Sequence, residues 1–461
     1  MRLKTFAAAF LLLSSGANAQ TIAIVHAKAW TLLGDAAIDD ATIVITDGKI
    51  ISVTAGAVAP AGARVIDAGG KPVTPGLMNP VTRLGLIEVS SATETIDHAA
   101  KAGAPGAGFD VQYAINANST LIDLARADGV TRALAQPSAS NTPPFAGSAS
   151  LLHLFDGGDI VERARVAVFV TIGNRSASST VGSRSAQWQL LRVALDSAKT
   201  ASPVIVPASD AKAPSTNAAL VADAKAPSTN AAGIADAKAL STNPERTSDG
   251  KAPGVNAART PDAVALEAVL KGKSPLAITT NRESDLRQAI KLASDYNIRV
   301  VIIGGAEAWR VADELAAAKI AVVVDPMSNL PASFDELGAR LDNPALLRKA
   351  GVTVAMSLDG VQSYNAGLSI REGAGLAVAN GMSYADGLRS IITVPAEIWG
   401  IADHFGTLAP ERDADVVIWD GDPLEPSSAP TTVLIQGREV SLITRQTELR
   451  DRYMPTIKSL K

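Results

Sequence analysis

The side chains able to do chemistry fall in three groups along the chain. Arg83 precedes an acidic stretch over residues 85–98 that carries Glu88, Glu94, Asp97 and His98. Asn281, Arg282 and Glu283 follow the apolar run Leu276-Ala277-Ile278-Thr279, and Glu307 and Trp309 follow Gly304-Gly305. Two crowded carboxylates can share a proton and work as an acid and base pair. The same oxygens are hard ligands of the kind that hold magnesium, calcium or manganese. They equally suit an exposed loop of solvated charges. Asn281 and Arg282 have the donors to orient a carbonyl or carboxylate, and paired glycines allow close backbone approach to a ligand. Each of these polar groups also has a plain alternative as a helix cap or packing residue.

Other chemistries lack their residues. The histidines, His26, His98, His153 and His404, show no i, i+4 pair or other ligand spacing, so a His-ligated zinc site is not expected. His26 and His404 fall in the end regions, away from the chemistry; His98 is the exception because it follows the acidic stretch. There is no cysteine, hence no disulfide, thiolate ligand or thiol nucleophile. No phosphate-binding loop, zincin motif or nucleophile elbow stands out.

Two kinds of element must position these groups. Near the start, Thr21–Val25, Ala41–Thr46 and Lys49–Val53 read as short strands, the last two joined by Asp47-Gly48, a hairpin signal. Near the end, Ala414–Asp420 and Thr432–Val440 read the same way. Between these regions strands alternate with helices: strands at Arg165–Ile172, Leu276–Thr279, Arg299–Ile303, Ile320–Val324 and Val352–Ser357, and helices at Gln187–Lys199, Glu283–Tyr296, Glu307–Ala318 and Pro344–Ala350. That alternation predicts βαβ units around a parallel sheet, closed as a (β/α)8 barrel or open and doubly wound. Residues 201–259 break the pattern. An Asp-Ala-Lys-Ala-Pro-Ser-Thr-Asn unit at Asp210 recurs at Asp223 and, altered, at Asp236 and Asp249, which predicts a low-complexity insertion with little to bury.

At 461 residues, 47% hydrophobic, 19% charged and a formal charge of -4, the chain is globular and lacks the basic excess of a nucleic-acid binder. Arg2 and Lys4, the apolar stretch Phe6–Leu13 and Ala17-Asn18-Ala19 predict an export signal over residues 1–19. A periplasmic or secreted location follows, with no membrane span expected because the apolar core falls far short of about 20 residues.

The stretch Pro75-Gly76-Leu77-Met78-Asn79-Pro80-Val81-Thr82-Arg83 resembles the barrel-opening motif of the amidohydrolase superfamily, with Val81 and Arg83 at its two histidine positions and Asn79 at its aspartate. Residues 406–424, around Ala414-Asp415-Val416-Val417-Ile418-Trp419, resemble that family's return strand. The segment from Ala374 to Ile401 resembles its helical approach to that strand. The imidazolonepropionase-like group is the nearest in flavour. The resemblance implies a TIM-like (β/α)8 barrel over residues 75–402, with a small β-sandwich built from residues 20–74 and 403–461. It also implies that Asp359, after Val354-Ala355-Met356-Ser357-Leu358, matches the eighth-strand aspartate, which in active relatives takes the proton from metal-bound water.

The expected activity is hydrolysis of a non-peptide carbon–nitrogen bond in a small molecule, cyclic amides foremost. Asp359 would be the base, Arg83 or Asn281 would polarise the carbonyl, and Glu88 or Glu94 would be a second carboxylate. Arg282, Glu307 and His98 are the substrate-binding candidates. No cofactor is expected, since most family ligands are missing, although a divalent metal stays open. The alternative is a barrel without catalysis that binds a ligand or serves as a scaffold. Oligomeric state is not legible.

Overall fold

The computed structural model describes residues 21–56, 58–100, 105–139, 144–173, 183–200, 260–327, 330–331, 333–358 and 362–459. The expected export signal, the repeat insertion and Asp359 lie outside the described residues.

Both chain ends contribute to one sheet. From the start come β1 (Ile22–Ala29), β2 (Ile38–Thr46), β3 (Lys49–Ala55), β4 (Arg64–Asp67) and β5 (Pro72–Pro75). From the end come β14 (Val416–Trp419), β15 (Pro430–Ile435) and β16 (Arg438–Glu439). Their order is β16-β15-β14-β5-β1-β2-β3, with β4 also pairing β1. The Asp47-Gly48 hairpin is present: both residues have positive φ, 52° and 75°, as the tight turn between β2 and β3 requires. Ile24, Ile43, Ile45, Ile50, Val73, Val416, Ile418 and Leu434 meet in a single apolar core, so neither end can form this domain alone.

Gly76 carries the chain from this sheet into the second one. A Cβ there would lie 2.1 Å from Thr131 Oγ1 and 2.4 Å from its Cγ2, so only glycine lets the crossing pass. The second sheet is the barrel: β6 (Leu77–Thr82), β7 (Val130–Ala135), β8 (Phe145–His153), β9 (Val161–Thr171), β10 (Leu276–Thr280), β11 (Val300–Gly304), β12 (Ala321–Val324) and β13 (Val354–Met356), hydrogen-bonded in that order. Around it pack α1 (Thr120–Ala127), α2 (Arg184–Thr200), α3 (Pro261–Leu270), α4 (Glu283–Tyr296), α5 (Ala312–Ala317), α6 (Asn343–Lys349) and α7 (Ala366–Ala379). Two further helices, α8 (Tyr384–Ser390) and α9 (Thr393–Trp399), follow, and α10 (Arg445–Ser459) comes last. The expected helix over Glu307–Ala318 divides into a three-ten turn, Ala308–Val311, and α5.

The fold is therefore a TIM-like barrel with a separate β-rich domain, with one departure from strict βα alternation. Strand β8 runs antiparallel to both neighbours. Antiparallel strands need only a short turn, whereas parallel ones need a crossover. Residues 154–160, with Gly157 and Gly158 at positive φ (82° and 87°), supply such a turn between β8 and β9.

Among the described residues no backbone ladder joins β13 to β6, and the seam is bridged by the segment after β13 and by α8 and α9. Pro80 has no N–H to donate, which suits a strand edge. Trp399 Nε1 donates to Pro80 O at 2.9 Å, Ser357 Oγ donates to Val81 O at 3.0 Å, and Met78 N donates to Ile391 O at 2.9 Å.

Candidate active site at the barrel mouth

Two apolar clusters fix which way each strand residue points. Leu134, Ala167, Phe169, Ala277, Val301, Ile303, Val323 and Ala355 share the interior cluster with Met78 and Val81. Their neighbours Val168, Val170, Leu276, Ile278, Val300, Ile302, Val322, Val324, Val354 and Met356 belong to the outer cluster beneath the helices. Since strand side chains alternate, the next interior positions toward the C-terminal ends are Gln136, Thr171, Thr279, Asp325 and Ser357. Arg83 stands just past β6. The interior thus changes from aliphatic to polar at the end where barrel enzymes place their chemistry.

Several of the expected site residues are engaged with the fold itself. Asn281 and Glu307 do meet, but in a lattice that holds loops. Asn281 Oδ1 accepts from Ala306 N at 3.2 Å, and its Nδ2 donates to Glu336 Oε1 at 3.1 Å. Buried Glu307 accepts from Glu283 N at 2.9 Å, at the start of α4, and from Gly338 N at 2.9 Å. The first of these bonds satisfies an orphan donor of α4 and complements its dipole, and the second ties in the loop at Gly338. Arg282 turns to Asp285 (3.2 Å), which also takes the Trp188 indole N–H at 3.2 Å. Gly304 is needed for a close approach to the chain itself, because a Cβ there would sit 2.4 Å from Asn281 Oδ1.

The acidic stretch divides as well. Glu88 accepts long bonds from Asn116 Nδ2 (3.3 Å) and Thr120 Oγ1 (3.4 Å) beside the start of α1. Glu94 is exposed on a three-ten turn, Thr93–Thr95. His98 is half-buried, its Nδ1 is enclosed without a hydrogen-bond partner, and its carbonyl accepts from Ser138 N at 2.8 Å. Burial, and then the positive charge of Arg83, push its pKa down to about 4. At neutral pH the mouth therefore holds a guanidinium beside an uncharged imidazole.

The first-strand positions do not suit a metal. Val81 contributes only carbon to the interior core, and Arg83 is a cation. Asn79 donates to Ala366 O at 2.9 Å while its Oδ1 accepts from Val81 N at 3.2 Å, so its amide is already engaged. Among the described residues, no three His, Cys, Asp or Glu side chains group as a metal-binding set.

The other histidines lie elsewhere. His26 Nδ1 meets Asp40 at 2.8 Å on the surface of the small sheet. His153 and His404 join a buried charge network at the opposite end of the barrel. There Arg132 bonds Glu162, Asp413 and, at 3.2 Å, Asp415; His153 meets Asp415 at 3.2 Å, and His404 meets Glu162 at 3.0 Å. Burial alone would raise the Asp415 carboxyl, but Arg132 and His153 outweigh it and hold the group well below the usual carboxylate range. Sequence reasoning missed this network, and it missed Gln136, Thr171, Asp325 and Ser357 at the mouth. For Asp325 the signal was present: a polar residue directly after the apolar run Ile320–Val324, the criterion that picked out Asn281.

Comparison with known proteins agrees with the architecture. The profile of the amidohydrolase family matches residues 305–443. The amidohydrolase tasK of Hapsidospora irregularis is 40% identical over 57 residues, 12% of this chain and only 6% of that relative's length. The structure of an amidohydrolase from Thermotoga maritima has 20% identity, covers 91% of this chain and 99% of that one, and superposes with a TM-score of 0.72. A prolidase complexed with N-methylphosphonate-L-proline has 16% identity, covering 92% and 100% of the two chains with a TM-score of 0.52. Among the described residues no helix is long and apolar enough to cross a membrane. The chain is thus similar to the amidohydrolase family over residues 305–443, and it shares the barrel fold of these solved structures.

Proposed function

We propose that this chain is an exported hydrolase of a non-peptide carbon–nitrogen bond in a small molecule, a cyclic amide foremost, working without a His-ligated metal. The match to the amidohydrolase family over residues 305–443 supports the reaction class. The observation that carries the rest is Arg83 just past β6, a permanent cation at a position the family's motif gives to a ligand histidine and near enough to His98 to disfavour its protonation. A fixed guanidinium can stabilise the oxyanion that develops when water attacks an amide carbonyl. Water without a Lewis acid keeps a pKa near 15.7, so a general base becomes essential. Asp359, placed by resemblance, is assigned that role; a positioned carboxylate base contributes on the order of 10²–10⁴-fold.

The test is a hydrolysis screen of cyclic amides and N-acyl amino acids, run with and without chelator on the wild type and on Arg83→Ala and Asp359→Asn. Turnover that survives chelator and falls at least about 100-fold in each variant supports the reading. Turnover abolished by chelator, or untouched in both variants, overturns it. A second reading, a ligand-binding barrel without turnover, draws support from Asn281 and Glu307, whose polar groups are committed to holding loops. Saturable binding of the screened amides with no hydrolysis would favour it.

A further inference from the structure

The helical layer outside the barrel holds a groove of about 570 Å³ between the three-ten turn Ala308–Val311, the start of α5 and one flank of α6. Trp309 sets one wall. Its Nε1 donates to Gly338 O at 2.8 Å and its backbone N–H donates to Asn343 Oδ1 at 3.1 Å, so the residue is held at both ends. Two guanidiniums lie over that ring, Arg310 with its Cζ 4.4 Å and Arg340 with its Cζ 4.7 Å from the centroid. They differ in what their N–H groups meet. Arg340 gives its fork to Asp342, with Nη2 reaching Oδ2 at 2.6 Å. Arg310 has no carboxylate partner among the described residues, and neither has Lys349, which lines the same groove from α6. Of the carboxylates on the groove, Glu314 is paired with Arg287, which leaves Asp313 against two unpaired cations.

We propose that this groove binds a small organic acid, its carboxylate held by Arg310 and Lys349 and its apolar body laid on Leu346 and Ala350. The site lies in the helical layer and does not depend on the reaction proposed for the mouth. A guanidinium resting over an aromatic ring keeps its N–H edge fixed in direction, so little side-chain freedom is lost when a planar carboxylate takes two of its donors. Lys349 adds a point charge from α6. Leu346 and Ala350 stand one turn apart, both half-buried, and Lys349 lies three residues from Leu346 on the same flank, so one stripe supplies an apolar floor and a cation. Inorganic phosphate would meet the same charges but has no body to cover that floor, which favours the organic acid.

The experiment is calorimetric titration of the full chain with sodium benzoate, benzyl alcohol and inorganic phosphate, using wild type, Arg310→Gln and Lys349→Gln. Both side chains are exposed, so neither substitution removes packed core. The expected result is saturable binding of benzoate by wild type, weakened at least about 5-fold in each variant. Benzyl alcohol is expected to bind more weakly than benzoate or not at all, and to change less than about 2-fold between the three proteins. Benzoate affinity unchanged in either variant, or benzyl alcohol losing as much as benzoate, overturns the two-cation clamp. Phosphate bound more tightly than benzoate overturns the organic acid as the ligand, and no saturable benzoate binding by wild type overturns the site.

Discussion

Arg132 is a fully buried guanidinium facing the carboxylates of Glu162, Asp413 and Asp415, with its face over the Phe405 ring. Removing one partner of such a set leaves uncompensated charge in a low dielectric. Arg132→Met is expected to lower unfolding stability by about 3–5 kcal/mol in urea titration. A change under 1 kcal/mol would mean that water reaches the network. Acid should act through two groups in turn. Folded His98 takes its proton near pH 4, while an unfolded histidine takes it near 6.5, so between those values the unfolded chain binds more protons. Stability therefore falls as pH drops from 6.5 toward 4, and the fall continues below about 4 as Asp415, depressed when folded, loses its advantage. His98→Gln should remove the first limb of the thermal midpoint's pH profile and keep the second; a variant profile superimposed on wild type would exclude His98 as its source. None of the Arg132 network was legible in sequence. Its members lie up to 283 positions apart, and no local spacing announces a contact made by folding.

Elements were legible where local chemistry decides them. Asp47-Gly48 and the helix Glu283–Tyr296 stand where turn residues and apolar periodicity put them. Strand β8 was not legible, because every residue from Phe145 to His153 is buried and no alternation survives to mark a face. The Pro75-Gly76 junction was recognised by resemblance, but its reason is steric and visible only in three dimensions. Gly76→Ala would drive its methyl into Thr131 and should cost about 3 kcal/mol or more, read as a lower urea midpoint. Thr131→Ala in the same chain should recover part of that loss. If Gly76→Ala is neutral, the crossing between the sheets has slack that its geometry denies.

At the scale of the molecule, strand and helix patterns bracket each other in order and predict a parallel sheet, whereas its closure into a barrel and the sheet shared by the two chain ends were anticipated from resemblance. The mouth was harder to read. Resemblance pointed to family positions, while the residues that line the interior strand ends follow from the pleat. Asn281, Arg282 and Glu307 met the sequence criterion for a site, and the structure shows them joining loops to helices, since a polar residue after a strand is as useful for capping as for chemistry. We propose that this barrel carries a core valine, Val81, and a cation, Arg83, where the motif it resembles has first-strand metal ligands. This is tested most directly by elemental mass spectrometry of untagged protein before and after dialysis against chelator. Well under one equivalent of any divalent transition metal per chain is expected, with the fold unchanged by chelator. A full equivalent that survives dialysis, or a fold lost with the metal, would contradict it.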